Sequence, residues 1–205
     1  MTIDVLQAIA SPESPSRAKR LKEATNTTHD RLDHAIMDTG PFANRERYGL
    51  FVTVQHQFHR EIDALYDNAK LDKLLPDLHG RRRLGLIAQD LRDLGIAVPV
   101  AAAAPAFAAG HEHDLPAALG WLYVAEGSNL GAAFLLKEAV KLGLSENFGA
   151  RHLAAAPEGR GLHWKTFTAA LDGVDLNDAE EQRVVESAKA AFACVQGLVN
   201  EVLSG

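Results

Sequence analysis

Between Ala118 and Lys137 the chain reads ALGWLYVAEGSNLGAAFLLK, an apolar run at helical period interrupted by Gly127, Ser128, Asn129 and Gly131. Glycine inside a helix costs about 1 kcal/mol relative to alanine. Two glycines four residues apart fall on one helix face, so they need a compensating reason. With no Cβ at either position, a ligand or a second backbone can come close to amides and carbonyls that are normally shielded. A small-residue helix crossing in the core is the plain explanation of the pair. The neighbours point elsewhere. Ser128 and Asn129 place polar groups beside the glycines, Glu126 precedes them, and buried polar groups need partners. The chemistry such a segment offers is close recognition of a flat, partly polar ligand.

Helices must position these residues, because almost every other segment also reads at helical period. Ser14 and Pro15 form an N-cap and N1 pair before a stripe of Ala18, Leu21, Thr25, Thr28, Leu32 and Ile36. After Gly40 and Pro41, Asn44 can cap a second helix with Tyr48, Phe51, Val52, Gln55, Phe58, His59, Ile62, Leu65 and Tyr66 on one side. A short Arg-rich helix over 81–94 and an irregular connection over 97–114 lead to the glycine-bearing helix, which ends near Gly143. A shorter helix spans 162–171. Asn177 and Glu180 form a capping box for the last helix, with Val185, Ala188, Phe192, Val195, Leu198 and Val202 inward. No alternating strand pattern, internal repeat or linker is evident. The fold class expected is all-α, a single domain over 15–205 behind a disordered segment, 1–14.

Length and charge bound the function. A chain of 205 residues can bury a full core in one domain, and 47% hydrophobic with 23% charged residues is ordinary globular composition, which sets aside a disordered chain. A net charge of −6 supplies no general field for nucleic acid. Cys194 is the one cysteine, so no internal disulfide can form, and its place near the last helix's apolar face suits a buried reduced thiol. No long uncharged apolar run suggests a membrane span, and the first residues lack the basic and apolar pattern of a secretory signal. The expected compartment is the cytoplasm.

Three separated motifs carry a resemblance. LGWLYVAEGSNLGAAFLLKEA resembles the distal helix of bacterial haem oxygenases, and NFGARHL over 147–153 followed by GLHWKTFTAALDG resembles the C-terminal part of that family. His29, in TNTTHDRLDHAI, falls where the family keeps its proximal haem ligand. The similarity runs from about Arg20 to the C-terminus. It implies a haem sandwiched between a proximal helix and a glycine-kinked distal helix.

Each part that haem chemistry requires can then be assigned. His29 lies near the edge of the first helix's stripe, and Lys22 lies two turns earlier on the same face. An imidazole for iron and an ammonium for a propionate could thus serve one ligand. A strong acid over the distal oxygen would favour O–O cleavage, so a haem oxygenase is expected to use backbone at a kinked helix and a hydrogen-bonded network instead. Gly127 and Gly131 give the close approach, and Ser128 and Asn129 supply polar atoms. Gln55 joins that network as the polar residue on an apolar stripe, and Arg83 resembles the family's distal-network arginine, although a solvated charge within Arg81 to Arg83 explains it equally well. Tyr123, one turn before Gly127, can reach a propionate and pack its ring on the macrocycle. In the family, Lys22 with Tyr123 resembles the members that cut at the α-meso carbon. Members with a rotated haem place cations where Met37 and Glu138 stand here, so the rotated seating lacks its partners.

Competing histidines offer less. His56 and His59 lie three apart on the second helix, and His111 and His113 flank Glu112 in a loop, but the paired Glu-x-x-His motifs of a di-iron bundle are missing. The resemblance therefore implies cleavage of haem to biliverdin IXα, CO and ferrous iron, using O2 and electrons from an external ferredoxin or reductase. Haem b would be both substrate and cofactor, with no flavin or nicotinamide site on the chain, and a phytochrome is a possible receiver of the biliverdin. Two other classes stay open at this point. One is a non-catalytic haem carrier or sensor, which would fill both axial positions with side chains. The other is a helical module for a different flat ligand.

Overall fold

The computed structural model describes residues 15–100 and 103–203, so the expected disordered segment 1–14 lies outside the described residues. Seven α-helices follow in order: α1 Arg17–Asp38, α2 Arg45–Ile62, α3 Ala69–Leu74, α4 Leu84–Asp93, α5 Leu115–Lys141, α6 Arg160–Asp172 and α7 Asp178–Val202. Among the described residues there is no strand, only two isolated bridges at one turn, from Ser145 to Phe148 and to Gly149.

Several helix ends are set by the side chains that the sequence marks. Asn44 accepts from the Arg47 amide at 2.9 Å, Asp114 from the Ala117 amide at 3.0 Å, and Asn177 and Glu180 close a full capping box. The first cap differs from expectation. Ser16, not Ser14, accepts from the Lys19 amide, and Pro15 precedes the cap instead of opening the helix. The stripe of α7 is also rotated slightly: Val184 and Val199 are buried and Val185, Leu198 and Val202 half-buried. Cys194 is half-buried, where burial was expected, and that burial raises its thiol pKa.

The three consecutive arginines redraw one element. The expected helix over 81–94 begins only at Leu84, because Arg81, Arg82 and Arg83 are drawn in three directions. Arg81 ends a 3-10 turn, His79–Arg81, and goes into the core. Arg82 adopts extended backbone and reaches Asp63 and Asp67 at 2.7 Å. Arg83 occupies the N-cap position of α4. Sequence period also misses the six-residue α3, capped by Asn68, and the 3-10 turn Arg151–Leu153. That turn hangs on Asp90, which is fully buried and accepts from the Arg151 and His152 amides, each at 3.0 Å.

Helix α5 runs through the molecule without a break at its glycines; it is α-helical from end to end. Its first half is buried on nearly all sides, packed on α7. The close crossing is made by Gly120, a residue the sequence reading passed over. A Cβ there would lie 2.5 Å from the Val184 carbonyl oxygen and 2.7 Å from the Ala188 nitrogen. The first prediction follows from this geometry. Gly120→Ala should destabilise the protein by about 1–3 kcal/mol in urea unfolding because the backbones must part. Gly131→Ala, where an added Cβ meets nothing within 4 Å, should be neutral or gain up to about 1 kcal/mol.

Candidate functional site

Helices α1 and α5 both pack on α7 and touch one another little, and a slot of about 710 Å³ lies between them. Its α1 wall carries Lys22, Thr25, His29, Asp33 and Met37. Its α5 wall carries Tyr123, Gly127, Ser128, Asn129, Gly131 and Phe134. Phe51, Gln55, Phe58 and His59 of α2 and Phe192 and Val195 of α7 close the sides, together with Arg83, His152 and Trp164. Every residue singled out for haem chemistry in the sequence thus lines one cavity.

The helix-crossing explanation of the glycine pair does not hold. A Cβ on Gly127 would lie 3.5 Å from the edge of the Trp164 ring, and one on Gly131 would meet open space, so no second backbone comes against either residue. What the missing side chains leave clear is the slot itself. Ser128 turns its hydroxyl back to the Ala125 carbonyl at 2.7 Å, and the Asn129 carbonyl accepts from Arg160 at 3.0 Å.

On the α1 wall His29 is 55% exposed, with Nδ1 3.4 Å from Asp30 and 3.8 Å from Asp33. A carboxylate beside Nδ1 favours the proton there and leaves the Nε2 lone pair for a metal. The ring stands edge-on to Phe192 at 6.1 Å. Lys22 makes no ion pair among the described residues, and burial raises the Tyr123 hydroxyl above its ordinary pKa. Met37 lines the slot, whereas Glu138 lies outside it and pairs with Lys141 at 2.7 Å.

A second cavity, of about 740 Å³, lies between the Asp63–Asp67 turn and the loop carrying His111, Glu112 and His113. Volume does not separate the two; polar satisfaction does. Asn129 Nδ2, Arg83 Nε, His59 Nδ1 and His152 Nε2 all belong to slot-lining residues, are buried, and have no hydrogen-bond partner among the described residues. Such groups are rare in folded proteins and need a partner, which ordered water or a ligand in the slot can supply. In the second cavity Arg82 is held by Asp63 and Asp67, and Glu112 by Lys70 at 2.8 Å. Among the described residues no group of three or more His, Cys, Asp or Glu side chains is placed to hold a metal ion, so His56 with His59, and the loop histidines, do not form such a site.

Two slot residues were undervalued from sequence. His59 was set aside as a weak metal ligand, yet burial first, then the Arg83 charge, pushes its pKa down to about 3, so it is a neutral imidazole. His152 donates or accepts through Nδ1 at 2.8 Å from Asp90; burial outweighs that carboxylate and holds His152 below its ordinary value too. The signal for His152 was an acid on an apolar stripe: Asp90 stands between Ile87 and Leu91 on the inner face of α4. Burial raises Asp90, but hydrogen bonds from His152 and Arg151 outweigh it and leave its carboxyl below the usual range.

An all-helical fold holding a slot between two helices, with an imidazole on one wall and side-chain-free backbone on the other, defines a binder of a flat, metal-centred ligand. The chain belongs to the haem oxygenase family: the family described as "Heme oxygenase" matches residues 16–201. It is 44% identical over 185 residues to "Heme oxygenase PigA" of Pseudomonas aeruginosa, covering 89% of this chain and 92% of that protein. The crystal structure of NO- and CO-bound haem oxygenase from Neisseria meningitidis matches with a TM-score of 0.87 and 38% identity, over 93% of this chain and 94% of that one. Haem oxygenase-1 from Synechocystis, in complex with haem, shares the fold at a TM-score of 0.71 and 16% identity, over 91% and 92% of the two chains. No described helix is long and apolar enough to cross a membrane.

The neutral state of His59 makes a stability prediction. Unfolded, a histidine takes up its proton near pH 6.5; folded, His59 resists until about pH 3. Its contribution is therefore complete above about pH 6.5 and is lost as pH falls toward 3. The slope is at most about 1.4 kcal/mol per pH unit. Urea unfolding at pH 7, 6 and 5 should show a shallower acid loss in His59→Gln than in the unmodified protein. Equal slopes would mean that His59 is not held neutral.

Proposed function

We propose that the slot seats haem b between His29 and the Gly127–Gly131 backbone, and that the protein cleaves it to biliverdin IXα, CO and ferrous iron. The observation that carries this reading is the shared cavity, with an imidazole of α1 and two glycines of α5 lining it while neither glycine packs on protein backbone. The residues fit the ligand. Phe51, Phe58, Phe192 and Trp164 offer apolar and aromatic surface for a macrocycle, and Lys22 and Tyr123 offer a cation and a hydroxyl for the propionates. When bound, haem supplies the iron at which O2 is activated for attack on its own ring.

The protein's own groups set where and how that happens. His29, oriented by Asp30 and Asp33, anchors one face. On the other face Gly127 and Gly131 admit the ligand plane close to α5. There burial keeps the nearby imidazoles, His59 and His152, below their ordinary pKa, so at neutral pH they are uncharged and hold no imidazolium proton to give. With Asp90 accepting the Nδ1 proton of His152, its buried Nε2 becomes an acceptor. Arg83, Asn129 and Gln55 complete a polar rim able to order water without a strong proton donor. Electrons come from a separate ferredoxin or reductase. We place the reaction in the cytoplasm, with a phytochrome as one receiver of the bilin.

Lys22 and Tyr123 select the in-plane seating. An exposed lysine paired with a propionate contributes about 0.2–1 kcal/mol, and the tyrosine hydrogen bond about 1 kcal/mol. Together they give a preference of about tenfold or more between rotations. Chromatography of the product should therefore yield mainly the IXα isomer. Lys22→Asn with Tyr123→Phe should give a mixture, because Met37 and Glu138 offer no replacement cations. A mainly β or δ product from the unmodified protein would sink the anchor assignment.

Haemin titration followed by reductant in air tests the reading as a whole. His29→Ala should lose the histidine-ligated ferric spectrum and recover it in part with added imidazole. Gly131→Leu should keep its circular dichroism and unfolding midpoint but lose turnover at least about tenfold, since the new side chain enters the slot. Parallel loss of folding and turnover in Gly131→Leu would return that glycine to a purely structural role.

A further inference from the structure

Glu126 stands one residue before Gly127, yet it does not line the slot, and only 2% of it is exposed. Its carboxylate takes two donors and faces a third polar group. The Tyr66 hydroxyl donates to Oε1 at 3.0 Å and Arg81 Nη1 to Oε2 at 3.1 Å, while His163 Nε2 lies 3.6 Å from Oε2. Arg81 is buried as deeply, and its other terminal nitrogen donates to the His163 carbonyl at 3.1 Å. His163 is held on its outer side by Glu158 at 2.7 Å.

Two lines lead from this cluster to the slot. Arg83 lines the slot; burial pushes its guanidinium below the ordinary value, and the charge of Glu126 is the largest influence pushing it back. The second line is mechanical. The bond from Arg81 ends on the carbonyl of His163, one residue before Trp164, whose ring edge would meet a Cβ on Gly127 at 3.5 Å. Phe167, one turn on, lies under the Arg81 guanidinium at 5.5 Å and stacks on Trp164 at 5.8 Å. Replacing a buried ion pair by apolar side chains of equal volume is often neutral or even stabilising. Stability alone therefore does not account for this pair, and what it holds in place does.

We propose that Glu126 is a positioning residue for haem cleavage: a buried charge one residue behind the slot-lining Gly127, it holds Trp164 against that glycine through Arg81 and the His163 carbonyl. The proposal rests on the haem-cleavage reading. Glu126→Gln keeps the shape of the side chain and removes its charge. With ferric haem bound, the midpoint of the acid–alkaline optical transition should fall by about half a pH unit or more, because more positive surroundings favour the anionic alkaline form. kcat should drop about tenfold or more, the scale of effect expected when reacting groups are misplaced. The haem Kd should stay within about threefold, since His29 and Lys22 are untouched.

Removing the carboxylate alone leaves a buried guanidinium unpaired, so Arg81→Met with Glu126→Gln is measured beside it as a charge-balanced variant, its fold checked by circular dichroism and urea unfolding. It lacks both the counter-charge and the tie, and its kcat should fall by the same order. A folded Glu126→Gln protein with an unmoved midpoint overturns the proposal, as does a double variant that turns over within about twofold of the unmodified protein. Should the single variant fail to fold, the double variant decides alone. Failure of the unmodified protein to bind and cleave haem would instead overturn the functional reading, and this proposal with it.

Discussion

Helix α5 has to be a core element along its first half and the wall of an open slot along its second. The two requirements meet between Gly120 and Gly127. At Gly120 the backbones of α5 and α7 come so close that no Cβ fits, which locks the helix to the far side of the molecule. Seven residues on, about two turns along the same face of the helix, Gly127 faces the slot. Because α1 also packs on α7, that one helix sets the spacing of both slot walls. A shift of α5 on α7 would move Tyr123, Gly127 and Gly131 together relative to His29.

Charge placement follows the same division. Three successive arginines serve three environments: Arg81 pairs with a carboxylate in the core, Arg82 with two at the surface, and Arg83 lines the slot. Burying a guanidinium without a partner is expensive, so Arg81 could enter the core only because Glu126 was there to meet it. The imidazoles by the slot show the opposite solution. His59 and His152 avoid the cost of buried charge by staying neutral, and so the slot carries polar atoms without strong acids.

The resemblance of three motifs reached the family, and the residues it indicated share one cavity. Period alone also found the large helices: caps at Asn44 and Asn177 and apolar residues every three or four positions are local signals, and helices are built from local bonds. Where reading by period faltered, a distant partner had intervened. The expected helix over 81–94 lost its first turn to Glu126, Asp63 and Asp67, and the 3-10 turn at Arg151 exists because a carboxylate 61 residues earlier accepts its amides.

The glycine pair marks the boundary between the two kinds of information. From sequence, Gly127 and Gly131 meant that something must approach α5 closely; a helix crossing was the plain explanation of the pair by itself, and the polar neighbours Glu126, Ser128 and Asn129 pointed to a ligand instead. Gly120, in the same helix, gave no sign of being different. Only the packed structure assigns a backbone to Gly120 and open slot to Gly131, because what lies opposite a missing Cβ depends on helices far away in the chain. The sequence by itself determined where the long helices lie and which side chains can bind, donate or ionise, since these are properties of residues and their near neighbours. The tertiary structure decided which of those groups share a cavity, which are stripped of water, and hence which histidines stay neutral and which arginine faces the slot.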